Sequence, residues 1–129
     1  MFTDIDDATR AHIDRDLAEA AVAGINGSIS DIVASFEETL GEYLSLDPDL
    51  QRAYPRGDTA RIFGTALGDG FIREHGFQWQ MLNDDYGTDL VVASPSRDMY
   101  TAPLVVVDTR FEDDATGKLT AFVAQFLGE

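Results

Sequence analysis

At Gly76 the hydrophobic period of the chain changes. Before it, apolar residues recur at helical spacing. After it, "FQWQML" sets Phe77, Trp79 and Met81 on one face and Gln78 and Gln80 on the other, the two-residue alternation of a half-buried strand. A chain that carries both periods in separate blocks is neither all helix nor all strand, and the block order predicts an α+β domain.

The helical block divides into three. From Asp7 to about Gly24, Ile13, Leu17, Ala20, Ala21 and Gly24 recur on one stripe behind the acidic start "DIDD", whose charge suits the positive end of a helix dipole. "ING" supplies turn chemistry, and Ser28 with Asp31 three residues on resembles a capping box. Ile29, Ile32, Val33, Phe36, Leu40, Tyr43 and Leu44 follow as an apolar stripe of four turns. "DPDLQRAYPRGD" then reads as a loop or a short turn of helix. The third helix runs from about Asp58, a fitting N-cap, to Gly76, a fitting stop, with Phe63, Ala66, Leu67, Gly70 and Phe71 as its stripe.

Two valine-rich runs, "DLVVAS" and "APLVVVD", come after "FQWQML", and a final helix capped by Asp113 or Asp114 buries Leu119, Phe122, Val123, Phe126 and Leu127. The predicted order is ααα-βββ-α, a three-stranded antiparallel meander packed against helices. With 129 residues, one domain over 1–129 is the expectation, with a helical hairpin at 1–46 and the third helix, meander and C-terminal helix at 58–129.

Charge narrows function more than fold. The formal net charge is −15. Such a surface repels a phosphate backbone and an anionic membrane, so no nucleic acid and no membrane is expected as partner, and no apolar run approaches the roughly 20 residues of a spanning helix. Cysteine is absent, which removes disulfides, thiol catalysis and cysteine-ligated zinc. "MFTDIDDATR" has neither a basic nor an apolar leader region, so a cytoplasmic location is the default. One lysine stands against eight arginines, and this bias fits a GC-rich genome or salt adaptation as well as it fits an acidic working face.

"NDDYGTDL", residues 83–90, could be a cation loop or a hairpin turn. A calcium loop of the EF-hand type needs glycine at its sixth position and glutamate at its twelfth; counted from Asn83 these are Thr88 and Ser94. Asn, Asp and Gly between two strand-like runs suit a hairpin, leaving weak cation binding by Asp84, Asp85 and Asp89 as a surface accident. "GTALGDG", with Gly64, Gly68 and Gly70, lacks the preceding strand of a dinucleotide fingerprint and the Gly-Lys-Ser/Thr ending of a phosphate loop. Close helix packing explains it better.

His12 and Asp16 lie one turn apart, yet a catalytic zinc needs a third ligand that no spacing supplies. A solvated His12 is expected, and His75 near a helix end fits a dipole contact. Ser94 and Ser96 flank Pro95 without a nucleophile elbow. "RGD" at 56–58 is explained by Asp58 as a cap. No cofactor, no metal and no ordered set of acid, base and nucleophile is indicated, which argues against an enzyme.

From "GTALGDGFIREHGFQWQMLNDDYGTDLVV" through "APLVVVDTRFEDD" the chain resembles a bacterial family of small domains, domain of unknown function family 3806. The shared features are Gly64, Gly68, Trp79, Tyr86, Gly87, Asp89, Leu90, Pro103 and Leu104. The resemblance implies a bacterial origin and the α+β plan, and carries over no activity and no site.

Three functions stay open. The first is an interaction module for a basic partner, of chaperone, immunity or adaptor kind, since charge speeds and selects association. The second is a small-molecule binder or enzyme with a cleft between the glycine-rich helix and the meander, where Trp79, Tyr86 and Arg73 are the residues to probe. The third is a stable acidic domain with no charge-dependent partner, which could form a homodimer through exposed apolar helix faces.

Overall fold

The computed structural model describes residues 1–128. Among them are six α-helices and a four-stranded antiparallel sheet. The order is β1 (Phe2–Thr3), α1 (Asp7–Val22), α2 (Ile29–Leu44), α3 (Pro48–Ala53), α4 (Arg56–His75), β2 (Gln78–Asp84), β3 (Gly87–Ala93), β4 (Tyr100–Thr101), α5 (Pro103–Thr109), a 3-10 turn (Arg110–Glu112) and α6 (Lys118–Leu127). In the sheet the strands lie in sequence order, β1-β2-β3-β4.

The α2 stripe forms as its spacing requires. Ser28 caps the helix, its Oγ accepting from the Asp31 N–H at 3.1 Å, and Ile29, Ile32, Val33, Phe36, Leu40 and Tyr43 are buried. Phe36 meets Phe63 and Phe111 edge-on at 5.3 and 5.7 Å, the arrangement that aromatic quadrupoles favour. Each fully buried side chain of this size contributes about 1.5–3 kcal/mol. Arg56 lies over the Phe111 ring at 5.4 Å and donates to Glu112 at 2.6 Å. It thereby ties the start of α4 to the 3-10 turn.

The face of α4 that carries Gly64 and Gly68 accepts neighbours closer than any side chain would permit. A Cβ on Gly64 would stand 2.6 Å from the Leu104 Cα, and one on Gly68 would stand 2.6 Å from Cζ2 of Trp79. Gly70 meets Ile29 from α2 in the same way, at 2.8 Å from Cγ1. The glycines of "GTALGDG" are packing residues.

Several expectations need correction. "APLVVVD" is not a third long strand but α5. Valine there favours a strand locally, yet Pro103 presets φ at a helix start where no N–H is needed, and the bare glycine face of α4 receives a helix backbone at Leu104. The third and fourth strands of the sheet are instead the two-residue segments β4 and β1, too short to leave a periodic signal.

Asp58 is not the cap of α4: the helix begins at Arg56 with Pro55 at the N-cap position. Pro55 has the φ of a helix entrance, and Asp58 falls in the first turn, where it reaches Arg61 at 3.3 Å. Asp113 and Asp114 do not cap the last helix either. Gly117, at φ +108, starts α6 three residues later, and Asp113 instead faces Arg110 and Lys118 at 3.3 and 3.8 Å. On α1, Ala21 and Gly24 are exposed, and the inward face is Ile13, Asp16 and Ala20 with Leu17 half-buried. Gly76, by contrast, stops α4 as expected, at φ +71 with its N–H on the Ile72 carbonyl.

Candidate functional site

The places on this frame open to a partner or ligand include the hairpin tip and two grooves that combine apolar walls with charged side chains. Strands β2 and β3 pair in register from Gln78–Ala93 to Asp84–Gly87, which leaves Asp85 and Tyr86 as the turn. Asp84 Oδ1 accepts from the Tyr86 N–H at 2.9 Å, and Gly87 takes the positive φ of +129 that a side chain would resist. Thr88 Oγ1 donates to Asn83 Oδ1 across the strands at 2.7 Å. The sequence reading of a hairpin holds. Tyr86 is 99% exposed at its end, among Asp84, Asp85 and Asp89, which are exposed too. Among the described residues no group of three or more histidine, aspartate or glutamate side chains is arranged to hold a metal ion.

The second is a groove of about 480 Å³ between the start of α1, α4 and β2. Asp69 and Ile72 of α4 form one wall, Asp4, Asp6, Asp7 and Arg10 another, and Trp79 and Phe77 the floor. Asp6 caps α1, and the backbone N–H of Thr9, at 2.7 Å from Oδ1, holds its carboxyl below the usual carboxylate range.

The third is a smaller groove of about 240 Å³, with walls from Ile29, Val33, Val123 and Leu127 and a polar end made by Glu74 and His75. Glu74 Oε2 accepts the Ile29 N–H at 2.6 Å, so a side chain from α4 caps α2 beside Ser28. His75 is exposed at the last position of α4, 6.4 Å from the Phe77 ring.

The structure puts the three sequence-selected residues in different surroundings. Trp79 is buried against Gly68 and floors the larger groove. Tyr86 stands free at the hairpin tip. Arg73 is exposed on α4, donating to Asp69 at 2.7 Å and to the Gly27 carbonyl at 2.9 Å. His12 is exposed, with Nδ1 2.7 Å from Arg15.

Asp16, which shares the His12 face in sequence, is buried and pairs with Arg61 of α4, with Thr65 Oγ1 at 3.4 Å. Burial alone would lower the Arg61 pKa, but the carboxylates of Asp16, Asp58 and Glu19 outweigh it and hold the guanidinium above its ordinary range. This buried pair was not read from sequence. Asp16 interrupts an apolar stripe, and that position is the signal that marks it.

A family model described as "Domain of unknown function (DUF3806)" matches residues 50–122. The match runs from within α3 to within α6 and takes in α4, the sheet strands β2 to β4 and α5. No curated protein and no solved structure matches the chain. The matched span is more than half of the chain, and the glycine face, the tryptophan strand and the acidic hairpin all fall inside it, so the chain belongs to the DUF3806 family.

Proposed function

We propose that the protein acts as one domain whose acidic surface receives a basic protein partner. One observation carries this reading. Of the nine basic side chains, all but Arg10 make an ion pair or a side-chain hydrogen bond within the chain, among the described residues. The acidic excess is therefore left for the solvent or a partner to balance, with the hairpin acids among the groups that no base meets. Such a field raises association rates for a basic surface and lowers them for an acidic one.

The test is affinity capture at low and at high salt, followed by mass spectrometry and titration of the retained partner. A basic partner held near stoichiometry whose affinity falls as salt rises supports the reading. Affinity indifferent to salt removes charge as its basis and favours the plain acidic domain.

The larger groove favours a second reading, a small-molecule site. It lies between the glycine-rich helix and the hairpin, and Trp79 gives it an aromatic floor. Its probes are Trp79, which lines it, and Arg73, which lies outside the lining and reaches it only through Asp69, with Tyr86, at the hairpin tip, away from it. A ligand screen by thermal shift in which no compound raises the melting temperature would count against it.

A further inference from the structure

Strand β3 is longer than its neighbour on the outer side. β4 pairs only with Val92 and Ala93, whereas β2 pairs with β3 all the way to Gly87. From Gly87 to Val91, β3 therefore has a strand on one side alone.

Two hydrogen bonds fix which backbone groups face outward. Ser94 N–H donates to the Met99 carbonyl at 2.8 Å, on the β4 side. Alternate residues of a strand point their N–H and C=O to the same side, so Val92, Leu90 and Thr88 turn theirs away from β2 as Ser94 does. From the other strand, Asn83 N–H donates to the Met1 carbonyl at 2.8 Å, away from β3. Asn83–Thr88 is then a wide pair, which gives the same parity. Among the described residues the N–H and C=O groups of Thr88 and Leu90 meet no partner in the chain.

Edge strands of this kind are ordinarily blunted by charged side chains, above all lysine, by proline or by a bulge, and a charge blunts an edge against like-charged strands while leaving it open to one of opposite charge. Gly87–Leu90 has no lysine, proline or bulge, and its only charge is Asp89. We infer that the outer edge of β3 docks an extended, basic segment of a partner protein, which adds as a further strand beside Thr88 and Leu90. Its lysine or arginine side chains would lie against Asp89 and Asp85, and Tyr86 offers an apolar surface at the end of the strand. This rests on the basic-partner reading and adds the place and form of the contact.

A second copy of the chain is the poorer occupant. Two β3 edges joined antiparallel about a two-fold axis, Thr88 of each beside Leu90 of the other, would set the two Asp89 side chains directly opposite, and like charges facing each other across strands are destabilising.

The experiment uses the full chain with a short alternating lysine–valine peptide and its fully N-methylated analogue of equal charge. Amide hydrogen exchange is the readout. Addition of the first peptide is expected to slow exchange at Thr88 and Leu90 and to leave Asp89 and Val91, already bonded to β2, unchanged. The N-methylated peptide, which cannot donate to an edge, is expected to bind roughly tenfold more weakly or less. Thr88→Pro removes one outward N–H and no backbone bond to β2, and should weaken the first peptide by a similar factor of about ten; Thr88→Val, which loses only the Thr88–Asn83 side-chain bond, is the control expected to bind as the natural chain does, and circular dichroism checks that both fold.

Equal binding of the two peptides, or protection without the alternation, overturns edge docking while the basic-partner reading stands. Failure of both peptides to bind at low salt also overturns edge docking, and the salt-dependent capture then decides the broader reading by itself. Protection of Thr88 and Leu90 without peptide, rising with protein concentration, would assign the edge to a second copy instead.

Discussion

The Trp79 ring lies against the bare Cα of Gly68, so close that a methyl group there would meet Cζ2 at 2.6 Å and Pro103 Cγ at 3.1 Å. The indole, α4 and α5 meet at this one point. Gly68→Ala is expected to destabilise the fold by about 1–3 kcal/mol, the usual cost of forcing an extra carbon into a packed core. Gly57→Ala is the control, since nothing lies within 4 Å of a Cβ there, and it should be neutral or stabilising by up to about 1 kcal/mol. Urea unfolding followed by Trp79 fluorescence measures both.

Asp16 and Arg61 join α1 to α4 from a buried position. Removing the guanidinium leaves the buried carboxylate with only the largely exposed Arg15, at 3.9 Å, as counter-charge, so Arg61→Met should cost about 2–4 kcal/mol. Asp16→Ala in the same background should cost much less than it does alone. A double-mutant cycle gives the coupling, which is expected at about 1–3 kcal/mol. Strict additivity would mean that the pair does not act as one.

Two side chains from different elements cap α2, Ser28 on the Asp31 N–H and Glu74 on the Ile29 N–H. Ser28→Ala and Glu74→Ala are each expected to lower stability by about 0.5–1.5 kcal/mol. Thermal unfolding of the single and double variants checks this.

Acid should weaken the start of α1. The folded Asp6 carboxyl titrates below its ordinary value of about 3.8, chiefly through the Thr9 backbone N–H. Its contribution is therefore complete above the unfolded pKa and is lost as pH falls through the lower, folded one. The difference in melting temperature between the natural chain and Asp6→Asn should be constant from pH 7 to about 5 and shrink below 3.8. A difference that grew on acidification would reverse the assignment.

Tyr86 contributes little to the fold, being 99% exposed. Tyr86→Ser is expected to change stability by less than about 0.5 kcal/mol while weakening capture of a basic partner. Unchanged capture would remove Tyr86 from the contact surface.

Features set by local chemistry were legible in the sequence: the α2 stripe, the stop at Gly76 and the turn at Asp84–Gly87 each depend on residues within a few positions. Those set by distant contact were not. "APLVVVD" becomes a helix because Gly64 and Gly68, some forty residues earlier, leave a face for it. β1 and β4 pair over two residues each, too few for any period to show. In the candidate sites the exposed Tyr86 and buried Trp79 follow from the hairpin register, but nothing local says that β4 ends where it does and leaves the Thr88 edge bare.

Strand β1 also has a consequence in time. Thr3 and Asn83 share a side-chain bond at 3.0 Å although 80 positions separate them in the chain. The helices and the β2–β3 hairpin close over short loops, within roughly 0.1–10 μs of their residues coming together. β1 has to await a partner synthesised far behind it, and at about 5–20 residues per second that delay is some 4–16 s. The first strand in sequence therefore waits unpaired until Met81–Asn83 of β2 has been made, and over that interval its own backbone groups, rather than those of the hairpin, are the open pairing site of a nascent chain.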